Sequence, residues 1–136
     1  MSESYMFSLP CFEDTDGKLG TIETDFLSGF QIKRLFYIFD VPTHKLRADH
    51  ACMNASTVFI AISGSVCLSI ETNNVIKKYI LSSKKMAVYA PATSWIKAYN
   101  FSEDAVLLGL SNREYRNCKY IDDYYEYKHY AGKDHE

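Results

Sequence analysis

From Ser56 to Asn74 the chain reads STVFIAISGSVCLSIETNN, and its second half trades apolar for polar residues at every step. Val66, Leu68 and Ile70 alternate with Cys67, Ser69 and Glu71, the period of two that marks a half-buried strand. Ser63-Gly64 interrupts the run, and Asn73-Asn74 is a tight-turn pair leading into a further strand, VIKKYIL. DTDGKLGTIET couples a turn to a short β-prone segment, and QIKRLFYIFDV is a longer apolar and aromatic run ending before Pro42. KMAVYAPA, SWIKAYNF and AVLLGLS follow, each short and bounded by polar residues or Pro. Many short strands with turn signals between them predict an all-β sandwich or barrel. The tail YIDDYYEYKHY breaks the pattern. Ile121, Tyr124 and Tyr125 fall at i, i+3 and i+4, which predicts a short C-terminal helix laying aromatic rings on the barrel. The closing AGKDHE, residues 131–136, reads as a frayed end.

Composition narrows the classes of function. A chain of 136 residues suits one domain with a real core, spanning 1–136. The net charge of −2, with no basic half, provides no field for nucleic acid. No apolar run approaches the ~20 residues of a membrane span, and the start MSESYMFSLPCFEDTDG has neither the basic nor the apolar region of a secretory signal. Cys11, Cys52, Cys67 and Cys118 are widely spaced without a C-x-x-C pair, the pattern of free thiols in a reducing cytoplasm. Eleven Tyr and eight Phe suit a half-buried pocket, an interface or simply a β-rich core. His44, His129 and His135 are assigned to loops or the tail.

The stretch LRADHACMN carries the candidate chemistry. His50 and Cys52 lie two apart on a β-prone segment, so their side chains leave one face. Both titrate and both bind metals. A barrel metal site, however, needs three or four ligands, and this stretch offers one His and one Cys, with Ser56 and Ile96 where further ligands would be sought. No metal and no other cofactor is therefore expected. On the neighbouring strand, Tyr37 and Phe39 share a face, and Arg47 offers a fixed positive charge near His50. Trp95 suits either stacking on a base or sugar or a place in the core.

From Asp14 to about Tyr130 the chain resembles the sugar 3,4-ketoisomerase family of cupins (FdtA-like, also WxcM-like). The matching stretches are DTDGKLGTIE, IKRLFYIFDV, RADHAC, ISGSV, VYAPATSW, NFSEDAVLLGLSNREY and KYIDDYYEY. They occur in the family's order, and from the first through Trp95 with its spacing. The resemblance implies a cupin jelly-roll barrel, a homodimer, and a dTDP-linked 4-keto-6-deoxyhexose as ligand. It also implies metal-free migration of the carbonyl from C4 to C3, on the way to 3-amino sugars of surface polysaccharides such as O-antigen. A base takes the C3 proton, an enediol forms, and a proton returns to C4; imidazole has the right pKa for this work.

Carried over residue by residue, the resemblance assigns His50 and Tyr37, with Cys52 in place of a second His, to catalysis and matches Arg47 to the motif Arg; Arg47, and Trp95 by stacking, are the candidate substrate-binding residues. Arg47 suits a diphosphate, which a guanidinium fork matches. The departures gather where the chemistry belongs. In the family motif R-G-x-H-A-H-K, Cys52 stands for the second His, Met53 for the Lys and Ala48 for the Gly. Ile96-Lys97 follows Trp95 where the family has His-Glu, Ser56-Thr57 replaces Glu-Gln, and Asp122 ends the family's Tyr-Ile-Arg. A thiol is a poorer proton carrier than imidazole, being only a weak donor and a weak acceptor. Three readings follow: a 3,4-ketoisomerase, a barrel that binds a dTDP-sugar without turnover, and a related nucleotide-sugar isomerase or epimerase.

Overall fold

The computed structural model describes residues 3–133, so His135 and the last residues of the tail lie outside it. Two five-stranded antiparallel sheets face each other. The first runs β1 (Tyr5–Ser8), β9 (Met86–Ala90), β6 (Thr57–Ser63), β11 (Val106–Ser111), β4 (Arg34–Phe39). The second runs β12 (Tyr120–Ile121), β5 (Arg47–Cys52), β10 (Ser94–Tyr99), β7 (Val66–Thr72), β8 (Val75–Leu81). A separate exposed hairpin pairs β2 (Cys11–Asp14) with β3 (Gly17–Gly20). From β4 onward the chain crosses between the sheets at nearly every connection, the winding of a jelly roll.

The alternation that predicts β7 also builds the core. Val66, Leu68 and Ile70 point between the sheets, where they meet Phe59, Val88 and Leu107 of the first sheet. β6 does not alternate; Thr57 to Ala61 are all buried. Its other face, Val58 and Ile60, lies under Phe26, Leu27 and Phe30 of the long connection before β4. A strand covered on both faces reads as a continuous apolar run. The Asn73-Asn74 turn forms as expected: both residues have positive φ, 53° and 65°, and they close the hairpin between Thr72 and Val75. At Gly64, φ +66°, a Cβ would sit 2.2 Å from Ser102 Oγ, so only glycine fits that break.

The C-terminal helix forms, on a different stripe from the expected one. α1 spans Tyr124–Lys133 and is capped by Asp123, whose Oδ1 accepts from the backbone N–H of Tyr125 and Glu126 at 2.9 and 3.1 Å. Ile121 belongs to β12, and Tyr125 is 85 % exposed. The buried face is Tyr127 and Ala131, packed with Trp95, Ala51 and Ile121 behind the second sheet. Ala131 is therefore part of a packed helix rather than of a frayed end.

Candidate active site

Strand parity puts the site together. On β5, His50 and Cys52 face a cavity of about 450 Å³, whereas Ala51 packs behind the sheet. Ile96 on β10 pairs with His50 and faces the cavity with it. Its neighbour Trp95 pairs with Ala51 and faces the back. The register slips between Ile96 and Ala98, and Ala48 takes a φ of +56°. This bulge changes the parity of β5, so Arg47 and Ala48 both line the cavity. The left-handed backbone at Ala48 explains a glycine preference there, because glycine adopts it without strain.

His50 is half-buried, and burial pulls its imidazole below the ordinary histidine value. The carboxylates of Asp122 and Asp49 oppose that shift, and the Arg34 guanidinium adds to it. The ring is therefore neutral at neutral pH, free to accept a proton. Cys52 moves the other way: burial pushes its thiol up, and the neighbouring Cys118 thiol adds to this. Cys52 Sγ donates to Asn54 Oδ1 at 3.4 Å. It is held as a thiol, not a thiolate.

The structure brings His50, Cys52 and Arg47 to one cavity and leaves two expected site residues outside its interior. On β4 it is Arg34, Phe36 and Ile38 that turn inward. Tyr37 lies on the outer face, 60 % exposed, stacked on Phe39 at 5.7 Å, and meets the cavity only at its rim. Tyr37 and Phe39 do share a face, but it is the solvent face. Trp95 is 4 % exposed; its indole N–H donates to Asp49 Oδ1 at 3.0 Å, and its ring meets Tyr124 and Tyr127. It is a packing residue for α1, on the far side of the sheet from the cavity.

Two cavity residues carry no signal that periodicity can read. Arg34 Nη1 donates to the Tyr120 hydroxyl at 3.0 Å, and the guanidinium lies over Phe36 and Tyr115, 4.7 and 4.8 Å from their ring centres. Tyr120 meets the His50 ring edge-on at 4.8 Å. It sits on the two-residue β12, directly opposite Cys52. Asp122 follows it at the cavity wall. Among the described residues, no three His, Cys, Asp or Glu side chains gather closely enough to hold a metal ion.

The family model described as FdtA, WxcM-like, C-terminal, matches residues 2–132. A TDP-4-oxo-6-deoxy-alpha-D-glucose-3,4-oxoisomerase of Aneurinibacillus thermoaerophilus is 31% identical over 120 residues, 88% of this chain and 86% of that one. The structure of WlaRA, a TDP-fucose-3,4-ketoisomerase from Campylobacter jejuni, superposes with a TM-score of 0.85 at 32% identity over 93% of both chains. A mutant of the 3,4-ketoisomerase QdtA from Thermoanaerobacterium thermosaccharolyticum, in complex with TDP-4-keto-6-deoxyglucose, superposes with a TM-score of 0.90 at 26% identity, covering 98% of this chain and 96% of that one. Sequence and fold converge, and the chain belongs to the FdtA (WxcM-like, C-terminal) family of sugar 3,4-ketoisomerases.

Proposed function

We propose that the protein converts dTDP-4-keto-6-deoxy-D-glucose to its 3-keto isomer, with His50 as the base that removes the C3 proton. The observation that supports this most is a half-buried imidazole, held neutral, facing a cavity large enough for a sugar in a chain of this family. The C4 ketone acidifies the C3–H bond, and the electron pair left behind moves onto O4. Arg47 and Arg34 supply positive charge to the same cavity. In this reading Arg47, the more exposed of the two, holds the diphosphate, and Arg34 favours charge building on the sugar oxygens. Trp95 acts by packing, not by touching the ligand. A homodimer in the cytoplasm, supplying a 3-keto sugar for amination, completes the reading; the four free cysteines agree with a reducing compartment.

The test is incubation with dTDP-4-keto-6-deoxyglucose in deuterated buffer, followed by NMR. Exchange at C3 and appearance of the 3-keto sugar are expected. Binding of dTDP with neither exchange nor product would leave a sugar-binding barrel instead. Cys52→Ser is expected to keep activity within about tenfold of wild type, less than the 10²–10⁴ lost with a true acid–base group. A Cys52→Ser loss beyond that range would make the thiol a proton carrier. Trp95→Phe is expected to destabilise by about 2 kcal/mol, through the lost bond to Asp49, with dTDP affinity unchanged. Urea melts and dTDP titration of the variant check both halves of that statement.

A further inference from the structure

Carbonyl migration moves two protons. One leaves C3 and arrives at C4; the other leaves the C3 hydroxyl and arrives at O4. A single imidazole on one face of the sugar serves the carbon pair. The oxygen pair needs a group that gives a proton to one oxygen and takes one from its neighbour, and a hydroxyl can do both. Cys52 is poorly suited, because its thiol is turned to Asn54. Position 36 is Phe, Tyr37 faces outward, and Ile96 is apolar.

Tyr120 meets each requirement. Its ring is in edge contact with His50. Its oxygen accepts from Arg34 Nη1 at 3.0 Å, and its own proton has beside it the Cys118 thiol, a weak acceptor that a ligand oxygen in the cavity can displace. The guanidinium that holds it is itself fixed between the rings of Phe36 and Tyr115. The backbone is fixed too, by pairing of Tyr120 with Cys52 and of Ile121 with Ala51. The other hydroxyls of the lining are less suited. Ser111 Oγ is engaged with the backbone of Arg113, Tyr115 is 65 % exposed, and the Thr57 alcohol is far less acidic than a phenol.

We propose that Tyr120, oriented by Arg34, is the second catalytic residue, relaying the proton between the substrate's C3 and C4 oxygens. This rests on the ketoisomerase reading. As His50 takes the C3 proton, the Tyr120 hydroxyl gives its proton to O4, and the enediol forms beside a phenolate paired with Arg34. The phenolate then takes the proton of the C3 hydroxyl while the His50 imidazolium returns its proton to C4. Both residues end as they began, so no oxidant, metal or external acid is consumed. Burial, helped by the neighbouring Cys118 thiol, pushes the phenol above the ordinary tyrosine value, so it begins protonated; the Arg34 bond pulls the other way and stabilises the transient phenolate. Arg34 is a positioning residue.

The experiment compares wild type, Tyr120→Phe, Tyr125→Phe and a protein with 2,3-difluorotyrosine at position 120. Tyr120→Phe is expected to lose about 10²-fold or more in kcat, with KM and dTDP affinity within about twofold. Tyr125→Phe, at a position 85 % exposed on α1 and outside the cavity, is expected to match wild type. Difluorotyrosine, a stronger acid of nearly the same shape, is expected to keep turnover and move the alkaline limb of the kcat profile toward neutral pH. Arg34→Lys is expected to move that limb the other way, as a merely structural role would not. Wild type active with Tyr120→Phe within about threefold of it would overturn the proton relay and leave His50 as base. An unshifted alkaline limb with difluorotyrosine would overturn it as well. A wild type that neither exchanges C3 nor forms product overturns both the relay and the ketoisomerase reading.

Discussion

His50→Asn is expected to remove both C3 exchange and product formation, a loss of at least 10²–10⁴-fold in kcat, with dTDP binding retained. Asparagine keeps much of the shape and hydrogen bonding of imidazole but cannot take a proton. A fully active His50→Asn would refute the assignment. The pH profile gives a second measurement. Burial lowers the His50 pKa, so the acid limb of kcat/KM is expected below the unperturbed histidine value of about 6.5. The Asp122 carboxylate favours the imidazolium, so Asp122→Asn is expected to move that limb to still lower pH. The same shift ties stability to pH. The unfolded chain protonates His50 more readily than the folded one, so this residue costs stability as pH falls below about 6.5. The cost stops growing once pH passes below the folded value. His50→Asn is expected to flatten that dependence, which urea melts from pH 5 to 8 would show.

Tyr127→Ala is expected to cost about 3–5 kcal/mol, the range for deleting a buried large aromatic ring. Tyr127 is 1 % exposed, and its hydroxyl proton lies between the carbonyl oxygens of Glu71 and Thr93, at 3.0 and 2.7 Å. Burial and the nearby Glu71 carboxylate push this phenol up to about 12, so it stays a donor at any working pH. Tyr127→Phe keeps the ring and is expected to cost about 1–2 kcal/mol for the bond alone. The residue lies behind the second sheet, yet the effect should reach the cavity. Ile121 packs in the same cluster and follows Tyr120 on β12, so loosening α1 loosens the strand that presents Tyr120 to His50. A kcat loss growing with temperature, alongside the lower denaturation midpoint, is the expected signature. Unchanged stability in Tyr127→Ala would mean that α1 contributes little to the fold.

The fold class was legible because a strand with one buried face must alternate, and β7 does so from Val66 to Ile70, before Glu71 is buried in turn. The Asn73-Asn74 turn was legible because few residues accept two consecutive positive φ angles. His50 and Cys52 reached the same cavity because residues two apart on a strand share a face, a local rule that needs no partner.

β4 resisted the same rule. Leu35, Tyr37 and Phe39 are as apolar as Phe36 and Ile38, so alternation gives two faces without saying which turns inward. Packing decides it. Gly109 on the neighbouring β11 leaves room for the Phe36 ring, whose Cζ stands 2.1 Å from where a Cβ would be. With Phe36 in, Tyr37 is out and Arg34 is in. Trp95 was ambiguous for a related reason, since its side of β10 depends on its pairing with Ala51 rather than with His50. The helix stripe shifted because Ile121, which looked like its first turn, is drawn into pairing with β5. Tyr120 was out of reach altogether: its strand is too short to show a period, and Arg34, which holds it, is 86 residues away. The sequence alone thus determined the barrel, its hairpins and the shared face of His50 and Cys52 on β5, because those follow from contacts between near neighbours in the chain. Which face of β4 lines the cavity, where Trp95 points, and which hydroxyl stands beside His50 were decided only by the tertiary structure, because each depends on how distant strands pair and where a missing side chain leaves room.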